Sequence, residues 1–200
     1  MEVYFTIDKT AVAEFKDRGS KFLAYAFPVK TPEAVKECLA EVKKEHPKAT
    51  HHCYAYRLGT GGMQFRASDD GEPSGTAGKP ILGQIDSKQL TDVLIIVVRY
   101  FGGSLLGVPG LINAYKMSAA MVLQLIPVIQ KNIEVQYQLS FDYTIMNDVM
   151  MVVKQNNCTV VSQELQLFCE MVIGIPKSGE ELCLLRLKDI YGLEIRKVKA

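Results

Sequence analysis

The chain is 200 residues long and 48% hydrophobic, with 23 basic against 22 acidic side chains. That apolar content excludes a disordered protein, and a sequence pI of about 7.6 excludes a uniformly basic nucleic-acid binder, so nucleic acid could be met only through a local patch. Five cysteines without a C-x-x-C pair argue against a disulfide framework or a zinc knuckle, and neither a signal-like N-terminal run nor a span-length apolar stretch is present, so a cytoplasmic protein with no membrane partner is expected.

Two short strands come first in the pattern, Ala11 to Asp17 and Ser20 to Val29, joined by a tight turn at Arg18 and Gly19. Thr31 and Pro32 mark a helix start, and Val35, Leu39 and Val42 recur at helical spacing until His46 and Pro47 end it. A strand follows from His51 to Leu58, then a long loop from Gly59 to Gly75 and a short helix from Thr76 to Gln84. Thr91 to Val98 is apolar at every position after Asp92, which predicts a strand covered on both faces and central in its sheet. Gly110 to Ile126 carries Leu111, Ala114, Tyr115, Ser118, Met121, Val122 and Leu125 at spacings of three and four, predicting a helix packed on that sheet.

Composition shifts near Pro127 to Asn132. Of the 15 glycines, 12 precede Lys131, and the net charge is +3 through Lys131 but −2 beyond it. Two domains are therefore expected, 1–130 and 131–200, with the first facing anions. The second compresses strand Ile133 to Phe141, helix Thr144 to Gln155, strands Thr159 to Gln163 and Glu164 to Ile173, helix Ser178 to Ile190 and strand Leu193 to Lys199. This βαββαβ order is the split βαβ or ferredoxin-like plan. The fold class is α+β, in two α/β sandwich domains.

Two loops concentrate the chemistry. Arg66 to Lys79 holds Asp69, Asp70 and Glu72 with Ser68, Ser74, Thr76 and three glycines; its carboxylates, with His51 nearby, could gather a hard cation or simply shape the loop. Arg99 to Gly110 runs from the buried strand into a helix and could offer backbone N–H groups and a helix dipole to an anion, with Gly102 and Gly103 allowing close approach. Neither nucleotide fingerprint is matched. Arg99, at the end of an apolar strand, needs a partner, and one of the three carboxylates can supply it as readily as a phosphate. Along a strand His51 and Cys53 share one face and His52 takes the other, which disfavours a shared metal, and Cys53 is expected as a small buried residue.

The run Ala49-Thr-His-His-Cys-Tyr-Ala-Tyr-Arg57, the loop Ser68-Asp-Asp-Gly-Glu-Pro-Ser-Gly-Thr-Ala-Gly78 and the stretch Val98-Arg-Tyr-Phe-Gly-Gly103, with Arg18, Ser20, Lys21 and Phe22, resemble the IMPACT family in its bacterial YigZ branch. The resemblance spans most of residues 15–125. It implies an N-terminal domain similar to domain IV of elongation factor G, of the ribosomal protein S5 domain 2-like type, and a C-terminal domain similar to domain V. In eukaryotic members it implies restraint of a starvation-responsive initiation-factor kinase through a ribosome-associated activator, by way of an additional domain outside the resemblance. Family members usually carry a lysine after the paired glycines and an arginine on the following helix, where this chain has Leu105 and Asn113.

The leading expectation is a non-enzymatic RNA- or ribosome-associated translation regulator without a cofactor. Its anion patch would be built from Arg57, Arg66, Lys79, Arg99, Gly102, Gly103, Ser74 and Thr76. Two alternatives stand beside it. One is a metal-assisted hydrolase using Asp69, Asp70 and Glu72 with His51; the other is a protein-docking module anchored by Tyr100 and Phe101.

Overall fold

The computed structural model describes residues 2–198, which form two compact units, one spanning Tyr4–Lys131 and the other the chain from Asn132 onward with the first residues up to Val3. The first unit is built on a five-stranded sheet. Its strands are β2 (Ala11–Asp17), β3 (Ser20–Pro28), β4 (His51–Leu58), β5 (Gln64–Ser68) and β6 (Val93–Tyr100), ordered β2-β3-β6-β4-β5 with every neighbouring pair antiparallel.

Helix α1 (Pro32–Glu45) covers one face. It starts where the sequence predicts, because Thr31 Oγ1 accepts a hydrogen bond from Ala34 N at 3.2 Å and Pro32 occupies the first turn, where an N–H would be left over anyway. Val35 and Val42 of α1 share a core with Tyr25, Leu94, Ile96 and Val98. Helices α2 (Gly78–Ser87) and α3 (Gly107–Gln124) cover the other face, where Ile81, Ile85, Ala114, Tyr115 and Val122 pack with Phe22, Cys53, Ala55, Ile95 and Val97. With helices on both faces, β6 has no wet side, which is why an antiparallel strand carries an unbroken apolar run from Val93 to Val98.

Three short elements have no counterpart in the predicted pattern. β5 forms inside the stretch expected to be loop, and β1 (Val3–Thr6) pairs with β7 (Ile129–Asn132) in a two-stranded sheet. Each is exposed or half-buried along most of its length, so none carries an apolar periodicity strong enough to announce itself.

The second unit contains β8 (Glu134–Asp142), α4 (Met146–Gln155), β9 (Thr159–Glu164), β10 (Phe168–Pro176), α5 (Glu180–Lys188) and β11 (Glu194–Lys197). Its sheet order β11-β8-β10-β9 places the first and third strands of the unit side by side, as the split βαβ plan requires. One face of that sheet packs Leu139, Phe141, Met171 and Ile173 against Val149, Val153, Cys183 and Leu187 of the helices. Strand β10 begins at Phe168 rather than at the expected Glu164, which instead closes β9. The expected end of the last strand, Lys199, lies outside the described residues. Among those residues no helix is long and apolar enough to cross a membrane.

Candidate functional site

Arg99 is the last but one residue of β6, and the alternation along that strand points it to the α2 and α3 face with Val97 and Ile95. Its residue is only 5% exposed. A guanidinium at that depth needs a carboxylate, and Glu72 supplies it: Arg99 Nη1 donates to Glu72 Oε1 at 2.6 Å. The same oxygen accepts the hydroxyl hydrogen of Tyr115 at 2.8 Å. Arg99 Nη2 reaches Ser20 Oγ at 3.5 Å, and the guanidinium lies between the rings of Phe22 and Phe101, 5.5 Å from each centroid. Arg99 Nε is left buried without a partner.

The acidic loop is organised from within. Asp69 Oδ1 accepts from Ala77 N at 3.0 Å and Gly78 N at 2.8 Å, and its Oδ2 accepts from Gly75 N at 2.8 Å. Asp69 thereby does for the start of α2 what a capping side chain does, although it is eight residues away from Ala77. Burial alone would raise its pKa, but the three backbone N–H donors outweigh that and hold the carboxyl below its ordinary value. Asp70 Oδ2 accepts from His52 N at 2.7 Å, and Thr76 Oγ1 donates to Pro73 O at 2.7 Å. Gly78 is required here for space, since a Cβ on it would come within 2.9 Å of the Ser68 carbonyl.

This has a consequence for acid stability. A carboxyl whose pKa is lower in the folded state contributes stability above its unfolded value, and that contribution is lost as pH falls through the folded value. Asp69→Asn is therefore expected to cost about 1–2 kcal/mol at neutral pH. The difference from wild type should shrink as pH falls below about 4. Urea unfolding at pH 7 and pH 3 checks this, and an equal difference at both values would contradict the assignment.

His51 and Cys53 share one face of β4, and His52 lies on the other. His51 Nδ1 donates to the Asp70 carbonyl at 2.8 Å, which leaves Nε2 turned away from that bond and 3.9 Å from Glu72 Oε1. Cys53 is fully buried, and its Sγ donates to Asp69 O at 3.0 Å. Burial pushes the Cys53 thiol well up, so it is not a nucleophile at neutral pH. On the opposite face burial holds the His52 imidazole below its ordinary pKa, and its Nε2 donates to His46 O at 3.1 Å.

A cavity of about 390 Å³ stands in front of the Arg99–Glu72 pair. His51, Thr50 and Pro73 border it on one side, Phe101 and Leu105 to Leu111 on the other. The first turn of α3 forms part of that wall. No side chain caps this turn, Gly107 holds a φ of +70°, and the backbone N–H groups of the first turn have no intrahelical acceptor.

The structure separates the residues that the sequence grouped as one anion patch. Arg99 and the Gly102–Gly103 loop stand at the cavity side, where His51 pairs with Arg99 in the sheet register. Arg57 lies six residues further along β4, about 20 Å away. There it is bound to Asp86 through Nε at 2.9 Å and Nη2 at 2.7 Å, and it also donates to Gly62 O. Arg66 on β5 and Lys79 in the first turn of α2 are exposed, and Ser74 is an exposed loop residue, while the Thr76 hydroxyl is spent on the loop. The four cations do not converge on one point. Gly102 serves packing, because a Cβ there would run into the backbone of Gly19 and Ser20.

Two expectations are corrected. Asp69, Asp70 and Glu72 do not gather a cation: each is already committed, to helix α2, to the backbone of His52, and to Arg99 with Tyr115, and among the described residues no group of His, Cys, Asp and Glu is placed to hold a metal ion. Tyr100 is not an exposed anchor, since it faces α1 and its hydroxyl lies 2.8 Å from His46 Nδ1, leaving Phe101 alone exposed. Sequence reasoning missed Tyr115 as a polar group of the site. A tyrosine on the apolar stripe of a helix is itself a signal, because a buried hydroxyl must find an acceptor.

A two-unit α+β protein whose first unit surrounds a buried arginine–carboxylate pair with a glycine-rich loop is thus defined by its fold. A family model described as the Impact N-terminal domain matches residues 18–123, the segment from the β2–β3 turn almost to the end of α3. An IMPACT family member of Haemophilus influenzae is 35% identical over 90% of this chain and 89% of its own length. The family member YigZ of Escherichia coli is 33% identical over 84% of this chain and 82% of its own. A crystal structure of a hypothetical protein superposes over 100% of this chain and 98% of that one with a TM-score of 0.76 at 28% identity. The chain belongs to the IMPACT family.

Proposed function

We propose that the protein is a non-enzymatic translation regulator that acts in the cytoplasm by associating with RNA, free or in the ribosome. The observation that carries this reading is membership of the IMPACT family across the unit that contains the cavity. The expected likeness of the two units to domains IV and V of elongation factor G, which meet ribosomal RNA, supports it as fold-level analogy. The exposed cations Arg66 and Lys79 on β5 and α2 support it too, because they remain available to phosphates while Arg57 and Arg99 are paired within the protein.

The test is sedimentation of the full-length protein with ribosomal particles at low and moderate salt. Wild type should travel with the particles and be released as salt rises, since counterion release makes phosphate-driven affinity fall with salt. The double variant Arg66→Glu/Lys79→Glu, altered only at exposed positions, should be released at lower salt. Wild type remaining at the top of the gradient at both salts would overturn the proposal.

A further inference from the structure

The cavity combines two kinds of surface that a plain packing defect would not. Its floor is polar and deep: Arg99, 5% exposed, lines it and holds a buried Nε–H with no acceptor. An unmet donor on a buried guanidinium calls for an oxygen acceptor. The first turn of α3, an 18-residue helix, borders the same space without a capping side chain, so its free N–H groups and positive dipole end ask for the same thing. Glu72 does not cancel this field, because its charge is offset by Arg99 at 2.6 Å and one oxygen is held by Tyr115 as well. His51 contributes Nε2, its other nitrogen being fixed on the Asp70 carbonyl.

The rim is apolar and open. Leu105 is 85% exposed, Val108 52% and Phe101 47%, and all three line the cavity. Exposed side chains of this kind grouped around one polar recess suit a ligand with a small anionic head and a flat apolar body. A volume of about 390 Å³ is at the small end for ligand pockets and has room for one such unit rather than for a length of polymer.

We propose that this cavity holds a single phosphorylated nucleotide, with its phosphate at Arg99 and the first turn of α3 and its base on the rim of Phe101, Leu105 and Val108. This deepens the RNA-associated reading and rests on it for the source of the nucleotide, the phosphorylated terminus of an RNA strand. A free nucleotide presents the same chemistry, and the experiment separates the two.

Fluorescence anisotropy of the full chain would compare one short oligoribonucleotide bearing a 5′-phosphate, a 3′-phosphate or neither, with adenosine monophosphate and inorganic phosphate measured by calorimetry. One terminal phosphate should tighten binding at least about tenfold, as a charge-assisted contact in a partly buried site does. Val108→Glu would place a carboxylate at the start of α3, where it is compatible with the helix and competes with the phosphate; Leu105→Asp would remove the apolar rim. Both positions are exposed, so both variants should fold, and each should abolish most of the advantage of the phosphate. Oligonucleotides binding equally with and without a terminal phosphate, or indifference to both variants, would overturn the pocket assignment while leaving RNA association standing. Adenosine monophosphate binding that is sensitive to both variants, without any RNA binding, would support the pocket and overturn RNA as its source. Binding of none of the probes would overturn both readings.

Discussion

Arg99→Met is expected to destabilise the first unit by about 3–5 kcal/mol, because it strands the Glu72 carboxylate in a site from which water is excluded. The side chains of the pair are 6% and 3% exposed, so neither charge can recover its hydration once its partner is gone. Glu72→Gln should cost a similar amount from the other side. The double variant Arg99→Met/Glu72→Leu should lose less than either single change predicts, since a buried ion pair exchanged for apolar side chains is often near neutral. It will not recover fully, because the Tyr115 hydroxyl then has no acceptor for a bond now made at 2.8 Å, which costs about 1–3 kcal/mol; adding Tyr115→Phe should return part of that. Urea unfolding followed by far-ultraviolet circular dichroism measures all four. A loss below about 1 kcal/mol for Arg99→Met would show that the pair is solvated in solution.

Gly102→Ala is the second change with a large expected effect. Strand β6 ends beneath the β2–β3 turn, and there Gly102 and Gly19 cross with no room for a side chain on either. A Cβ on Gly19, whose φ is +80°, would lie 2.9 Å from the Gly102 carbonyl oxygen, and one on Gly102 would collide with the Gly19 carbonyl. The obstacle is backbone, so no rotamer change relieves it. A cost of about 3 kcal/mol or more is expected, at the upper end of overpacking, with the melting temperature lowered by roughly 6–12 °C. Gly103→Ala is the control: its φ of +85° is strained for alanine, but nothing lies within 4 Å of the added carbon, so about 1 kcal/mol is expected. Differential scanning calorimetry of the two variants distinguishes crowding from strain, and equal melting temperatures would refute the crossing as the reason for Gly102.

Much of this was legible from the residues. The unbroken apolar run of β6 announced a strand covered on both faces, Thr31 with Pro32 announced the start of α1, and the need of Arg99 for a carboxylate followed from its place at the end of an apolar strand. The alternation that puts His51 and Cys53 on one face of β4 and His52 on the other was equally readable. The start of α3 was placed three residues late, at Gly110, because Gly107, Val108 and Pro109 carry little periodicity of their own. What could not be read was which carboxylate meets Arg99. Asp69, Asp70 and Glu72 have the same chemistry, and only the path of the loop, with a φ of +90° at Gly71, carries Glu72 inward while Asp69 turns to α2 and Asp70 to β4.

The sequence by itself determined the alternation of strands and helices, the order βαββαβ of the second half and the concentration of polar residues in two loops, because these depend on neighbours within a few positions along the chain. Tertiary structure alone decided the site. Arg99 and Glu72 are 27 residues apart, Glu72 and Tyr115 are 43 apart, and Ser20 reaches Gly102 across 82. No local preference encodes such pairings. They are selected when the sheet closes, since a buried charge or hydroxyl must then take whatever partner the fold brings within reach. The same closure separates Arg57 from Arg99 by the length of a strand and leaves an unfilled recess between β6 and α3.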